Sequence, residues 1–312
     1  MKMNSRRIGF AALTGCFVIL AAYYAVGLFA PVPGARTGFW SAFGAAAFIL
    51  LNGLGLQQAG NRVSVMTSVF VPVIYIALVA ANPWALRWST LHPASLMLLG
   101  ATFCYLTFCN IRPSIELLAG CHFLLGAAGL FVPPLIWLFP VFLLTGSGRT
   151  ISKGRYVVTA LISLALPLLI HCGFTYLRQD FSATREILPW LWAGMTDVHP
   201  GIRHFPAVTL TRIFFTLAVT ILAGLYIIHQ LDTYKTAEAR ALVRLIILAL
   251  ALGLMALIFP ADAHTPCSLV VCLPVALLLN EYLFSSGKGW ARTSLIVAAL
   301  LLLIAERISL FL

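Results

Sequence analysis

The chain has 312 residues, 61% of them hydrophobic and only 9% charged, with a mean hydropathy of +0.99. A soluble domain carries about 25% charged residues to cover its surface, so this composition excludes a water-soluble fold and makes lipid the solvent. Lys and Arg outnumber Asp and Glu by 20 to 9. No basic run interleaved with aromatics lies outside the apolar stretches, so the excess points to anionic membrane lipid and not to nucleic acid.

The opening residues carry Lys2, Arg6 and Arg7 and then run apolar. That run exceeds the roughly 7–15 residues of a signal-peptide core, so it reads as a retained first helix. One helical span needs about 20 apolar residues. Apolar runs bounded by turns or charges fall at 8–29, 39–56, 64–81, 94–109, 114–130, 132–145, 156–177, 207–229, 242–259, 267–284 and 293–312. The expected fold class is therefore an all-α, polytopic transmembrane helical bundle of about 10–11 spans, built as a single integral membrane domain over residues 1–312. Pro133 and Pro134 forbid a continuous helix at 132–145. That run and its predecessor should form a hairpin that only partly crosses.

Orientation follows the cations. With a cytoplasmic N-terminus, thirteen of the 20 lysines and arginines fall inside, among them Arg6, Arg7, Arg62, Arg112, Arg149, Lys153, Arg155, Arg240 and Arg244. Seven fall outside: Arg36, Arg87, Arg178, Arg185, Arg203, Arg212 and Arg307. Trp40, Trp84, Trp88, Trp190 and Trp192 then share the outer interface, where amphipathic rings belong. The longest loop, about 178–206, faces the periplasm, and its "LPWLW" segment is expected to lie along the membrane surface as an interfacial helix.

The seven cysteines lie within or at the edge of apolar runs without a CxxC pair, and read as free thiols instead of a metal or disulfide framework. No cofactor motif is present; "TGSGRTISKGR" lacks the P-loop spacing and follows a span where a strand is required. Glu116 follows Ser114 in the first turn of a helix, where a carboxylate suits the dipole. Glu281 has Asn280 beside it as a hydrogen-bond partner, and His122 and His171 sit singly among apolar residues.

Outward-facing polarity gathers in three loops. The first holds Arg87 and His92, the long loop Arg178, Arg185, His199, Arg203 and His204, and the third, "PADAHTP", Asp262 and His264. Arg forks match phosphate oxygens bidentately, and a neighbouring His or Asp can act as a base. Arg87, His92, Arg178, Arg185, His199, Arg203 and His204 are thus the candidate binding residues for a polyprenyl-phosphate-linked substrate. The alternative is that they are ordinary loop residues touching water and headgroups.

Residues 60–175 resemble a family of uncharacterised polytopic inner-membrane proteins of Bacteroidota. The likeness rests on the Asn61-Arg62 turn before a Pro72-containing span, the Leu91-His92-Pro93 entry to the next, and the "LLGAAGLFVPPLIWL" hairpin. It implies an inner-membrane location and supplies no catalytic residues. Polytopic glycosyltransferases that use polyprenyl-phosphate sugars are a looser comparison. They place an acid in the first outer loop, whereas "APVPGARTG" has none. O-antigen polymerases and ligases rely instead on outer-face Arg and His. The expected function is thus a multi-pass inner-membrane protein of cell-envelope, lipid-linked glycan biogenesis, surrounded by membrane lipids. A transporter or flippase, or a non-catalytic assembly subunit, are the competing readings.

This topology is testable by single cysteines at positions 151 and 195 in a cysteine-free background. An impermeant thiol reagent applied from outside should label position 195 and spare 151. The reverse pattern overturns the orientation.

Overall fold

The computed structural model describes Val18 and residues 38–63, 70–80, 85–111, 113–146, 152–197, 207–259 and 268–285. Every regular element there is helical. The helices are α1 (Phe39–Val63), α2 (Val71–Ala80), α3 (Leu91–Asn110), α4 (Ile115–Phe131), α5 (Leu138–Gly146), α6 (Lys153–Leu177), α7 (Phe181–Thr196), α8 (Ala207–His229), α9 (Thr236–Ile258) and α10 (Ser268–Ser285). Short 3₁₀ turns occupy Pro133–Trp137 and Leu231–Thr233. The expected spans at 8–29 and 293–312 lie outside the described residues.

Helices are the expected answer to a lipid solvent, because each satisfies its own backbone donors and acceptors. Four of them, Phe39–Gly60, Leu91–Asn110, Lys153–Leu177 and Thr236–Ile258, are long and apolar enough to cross a membrane. Among the described residues, the apolar helical stretches Val71–Ala80, Ile115–Phe131, Pro133–Gly146, Phe214–His229 and Leu269–Leu283 are shorter. α2, with 10 residues, rises only about 15 Å, half of a hydrocarbon core of about 30 Å.

Proline placement explains several boundaries. Pro72 is the second residue of α2 and Pro93 the third of α3; first-turn N–H groups have no intrahelical partner, so nothing is lost there. Pro133 and Pro134 do break the chain as expected: α4 stops at Phe131, a 3₁₀ turn follows, and α5 resumes at Leu138. The turn expected at Asn61-Arg62 is absent. α1 continues through both residues to Val63, since no proline interrupts the helix there. α4 begins as the sequence implies, with Ser114 accepting the Leu117 amide at 3.3 Å and Glu116 in the first turn.

α10 is the hub. Leu269, Val270, Leu273, Ala276, Leu278 and Asn280 are all buried, on every side of the helix. A helix apolar all round needs neighbours all round, and α1, α2, α3, α8 and α9 pack against it. α3 carries the assembly outward through α4 to α6. α6 is the peripheral member, leaving Val158, Leu161, Ile162, Leu169 and Ile170 exposed.

The α4–α6 contact is unusually close. A Cβ on Gly126 would stand 2.2 Å from the Leu164 carbonyl oxygen, a backbone atom that cannot rotate away. With no hydrophobic driving force between helices in lipid, small residues that admit such contact provide the adhesion. Gly126→Ala should therefore cost about 1–3 kcal/mol. Gly120→Ala, whose Cβ would meet only Cys104 Sγ at 3.8 Å, should stay within about 0.5 kcal/mol. Thermal unfolding in detergent compares the pair, and equal stability would show that α6 is not seated on Gly126.

Candidate functional site

The α6–α7 corner is built by the backbone. The Gln179 amide donates to the Tyr176 carbonyl at 2.9 Å and the Asp180 amide to the Thr175 carbonyl at 3.0 Å. Gln179 itself takes a positive φ of 59°. Those two bonds and the left-handed residue form a Schellman closure of α6. Asp180 immediately starts α7, accepting from the Ser182 hydroxyl at 2.7 Å and the Ala183 amide at 3.1 Å. These bonds hold its carboxyl below the usual carboxylate range. The Thr175 and Thr184 hydroxyls, 2.6 Å apart, join the two helices.

α7 then rests on the proline turn. Its Gly194 lies so close to Pro133 that an added Cβ would be 2.7 Å from the ring, and Trp137 Nε1 donates to the Met195 carbonyl at 3.1 Å. Leu191 is the buried residue of the helix. On the other side of the helix Arg185 and Trp192, seven residues apart, share one exposed face, with Trp192 69% exposed. Trp190 is also exposed. Between α7 and the turn lies a broad, open depression lined by Pro133, Trp190, Ala193, Gly194, Thr196 and Asp197. The expected "LPWLW" helix is present and longer than that segment.

Of the sequence-derived candidates, Arg178 and Arg185 belong to this corner. Arg178 caps the end of α6 with its guanidinium 4.3 Å from the Phe174 ring centroid, a cation–π distance. Arg185 projects from α7 and is exposed. Arg87 and His92 are fastened elsewhere. Arg87 is exposed in a loop whose neighbour Trp88 donates its amide to Ser41 Oγ at 3.3 Å and packs edge-on against Phe48. His92 is fully buried. Its Nε2 donates to the Ala85 carbonyl at 2.9 Å, which fixes the tautomer, and its Nδ1 accepts the Ser89 amide at 3.2 Å. The ring stacks on Trp88 with centroids 5.4 Å apart. Both nitrogens are thus engaged by the 85–90 loop. His199, Arg203 and His204, like Asp262 and His264, lie outside the described residues.

Two polar assemblies went unnoticed in the sequence. In the bundle interior Asn52 Nδ2 donates to Ser95 Oγ at 2.7 Å, and that hydroxyl donates to the His92 carbonyl at 2.7 Å. At the end opposite α7, Arg244 donates from Nη1 to Asn110 Oδ1 at 2.9 Å and from Nε to the Thr145 carbonyl at 3.4 Å. The Thr145 hydroxyl bonds that of Tyr105, and Tyr156 donates to the Phe142 carbonyl at 3.2 Å. The sequence counted Arg244 only among inside cations; its place within an apolar run was the signal for more. Glu281 accepts a hydrogen bond from the Tyr234 hydroxyl at 2.6 Å, a partner 47 residues away that the sequence reading did not name. No protein-family model, curated protein or solved structure matches the chain.

His92→Ala removes a stacked ring and strands both the Ala85 carbonyl and the Ser89 amide, so about 2–4 kcal/mol of stability should go. Amide exchange at Ser89 should accelerate with it. Unchanged exchange there would mean that the ring does not hold the loop.

Proposed function

We propose that this chain is a multi-pass protein of a bacterial inner membrane that binds a phosphate-bearing, lipid-linked glycan substrate at its periplasmic end. In this reading the chain crosses about ten or eleven times from a cytoplasmic N-terminus and belongs with the Bacteroidota inner-membrane proteins it resembles. The observation that carries it is α7. An exposed helix with Trp192 and Arg185 outward, and Trp190 on the wall of an open depression beside it, has the features of an anchor at headgroup depth next to space for a ligand. Arg178 opens the same corner, and the chain supplies His199, Arg203 and His204 a few residues beyond it. A guanidinium near lipid meets phosphate in a lower dielectric than bulk water, which strengthens each contact. Asp197, on the wall of the depression, is the group closest to hand for a base.

A flippase or transporter is the second reading, favoured by the proline break at 133–137 and by Pro274 inside the central α10. Interrupted helices frame substrate sites in transporters. Flux of a fluorescent polyprenyl phosphate across proteoliposomes separates it from a binding or transferring role.

The binding test uses the full chain in nanodiscs and polyprenyl phosphate, read through the fluorescence of its tryptophans. Saturable quenching should occur, and neutral polyprenol should not produce it. Arg185→Lys should weaken binding nearly as much as Arg185→Ala, by about tenfold, because a point charge cannot reproduce the bidentate fork. Wild-type binding by a combined alanine variant of Arg178, Arg185, Arg203 and His204 would sink the site and leave α7 as an anchor.

A further inference from the structure

Arg244 stands at the opposite end of the bundle from α7. Asn110 closes α3, Thr145 is next to the end of α5, and Tyr156 is in the first turn of α6. In the sequence these positions border apolar runs: Asn110 follows the run ending at 109, Thr145 ends the run at 145, Tyr156 begins the one at 156, and Arg244 is the third residue of the one at 242. Four helices therefore bring polar groups to one level, the boundary between hydrocarbon and headgroups.

The guanidinium at that level lacks a counter-charge. Its two bonds, to the Asn110 amide oxygen and the Thr145 carbonyl, go to neutral acceptors. Among the described residues no carboxylate pairs with it. Three acids stand at the same end without bonding the guanidinium: Glu116 in the first turn of α4, Glu281 bonded by Tyr234, and Glu238, six residues back on α9 and so about 120° away around the axis. Of five N–H donors in an Arg, three have no acceptor among the described residues, and Arg244 is only partly buried. The Asn110 Nδ2 is itself buried without a partner. Neutral oxygens satisfy donor geometry but leave the charge uncompensated, which is costly at the edge of a low-dielectric layer. Lys153 and Arg155, exposed at the start of α6, add positive potential at the same end. Basic pockets of this kind between helices suit anionic headgroups.

We propose that Arg244, with Asn110, forms a binding site for the phosphate of an anionic glycerophospholipid, at the membrane face opposite α7. The lipid phosphate accepts the free guanidinium donors of Arg244, which Asn110 steadies through its amide oxygen, and supplies negative charge where α3, α5 and α9 meet.

The full chain in detergent tests this by thermal unfolding during titration with phosphatidylglycerol, phosphatidylcholine or inorganic phosphate. Phosphatidylglycerol should raise the Tm saturably and the other two should not. Equal protection by inorganic phosphate, with nothing added by phosphatidylglycerol, would overturn the lipid assignment. Arg244→Lys should shift the titration midpoint by at least about tenfold. Asn110→Asp provides an internal counter-ion, so it should keep the fold and abolish the response to lipid. A wild-type response in both variants, or in Asn110→Asp alone should Arg244→Lys not fold, overturns the site.

Discussion

The architecture depends on the burial of α10. Its residues from Leu269 to Asn280 are enclosed almost without interruption, and enclosure on every side requires a ring of partners. α1, α2, α3, α8 and α9 supply it. Their own apolar surfaces are then divided between the hub and the outside. Lipid tails are as apolar as leucine, so this division is governed by packing and not by exclusion of water. The exposed leucines and isoleucines of α6 are the counterpart, apolar residues that remain on the surface because that surface meets hydrocarbon.

Close approach replaces the hydrophobic effect as the adhesive. Gly126 admits the Leu164 backbone, and Gly194 admits the Pro133 ring. In the second case the contact has a directional consequence. The proline turn, which cannot continue a helix, becomes a platform, and the helix laid on it is turned so that Trp192 and Arg185 face outward. A local inability of the chain to hydrogen-bond thereby positions the candidate site.

Polar groups sort to the two ends of the bundle. One end has the α6–α7 corner and the His92-stapled loop; the other has Arg244 with Asn110, Thr145, Tyr105 and Tyr156. The interior exceptions include the Asn52–Ser95 pair, bonded on to the His92 carbonyl, and the buried His122 and Asn280. Such a distribution fits the cost of unpaired polar groups in hydrocarbon.

The sequence alone determined the lipid solvent, the all-helical class, the break at Pro133-Pro134 and the helix over "LPWLW", since each follows from local composition, proline geometry or periodicity. The bounds of α8 and α10 were legible to within a residue for the same reason. It misplaced the end of α1, because Asn61 and Arg62 look like a turn to a local reading but continue the helix, no proline being there to stop it. Of the candidate site it marked Arg178 and Arg185 but grouped them with His92, whose ring nitrogens the fold commits to Ala85 and Ser89. Only tertiary structure could decide that, because one His looks like another until its neighbours are assembled. The Arg244 cluster, drawn from positions 105 to 244 on four helices, was invisible for the same physical reason: it depends on contacts distant in the chain, which no local pattern encodes.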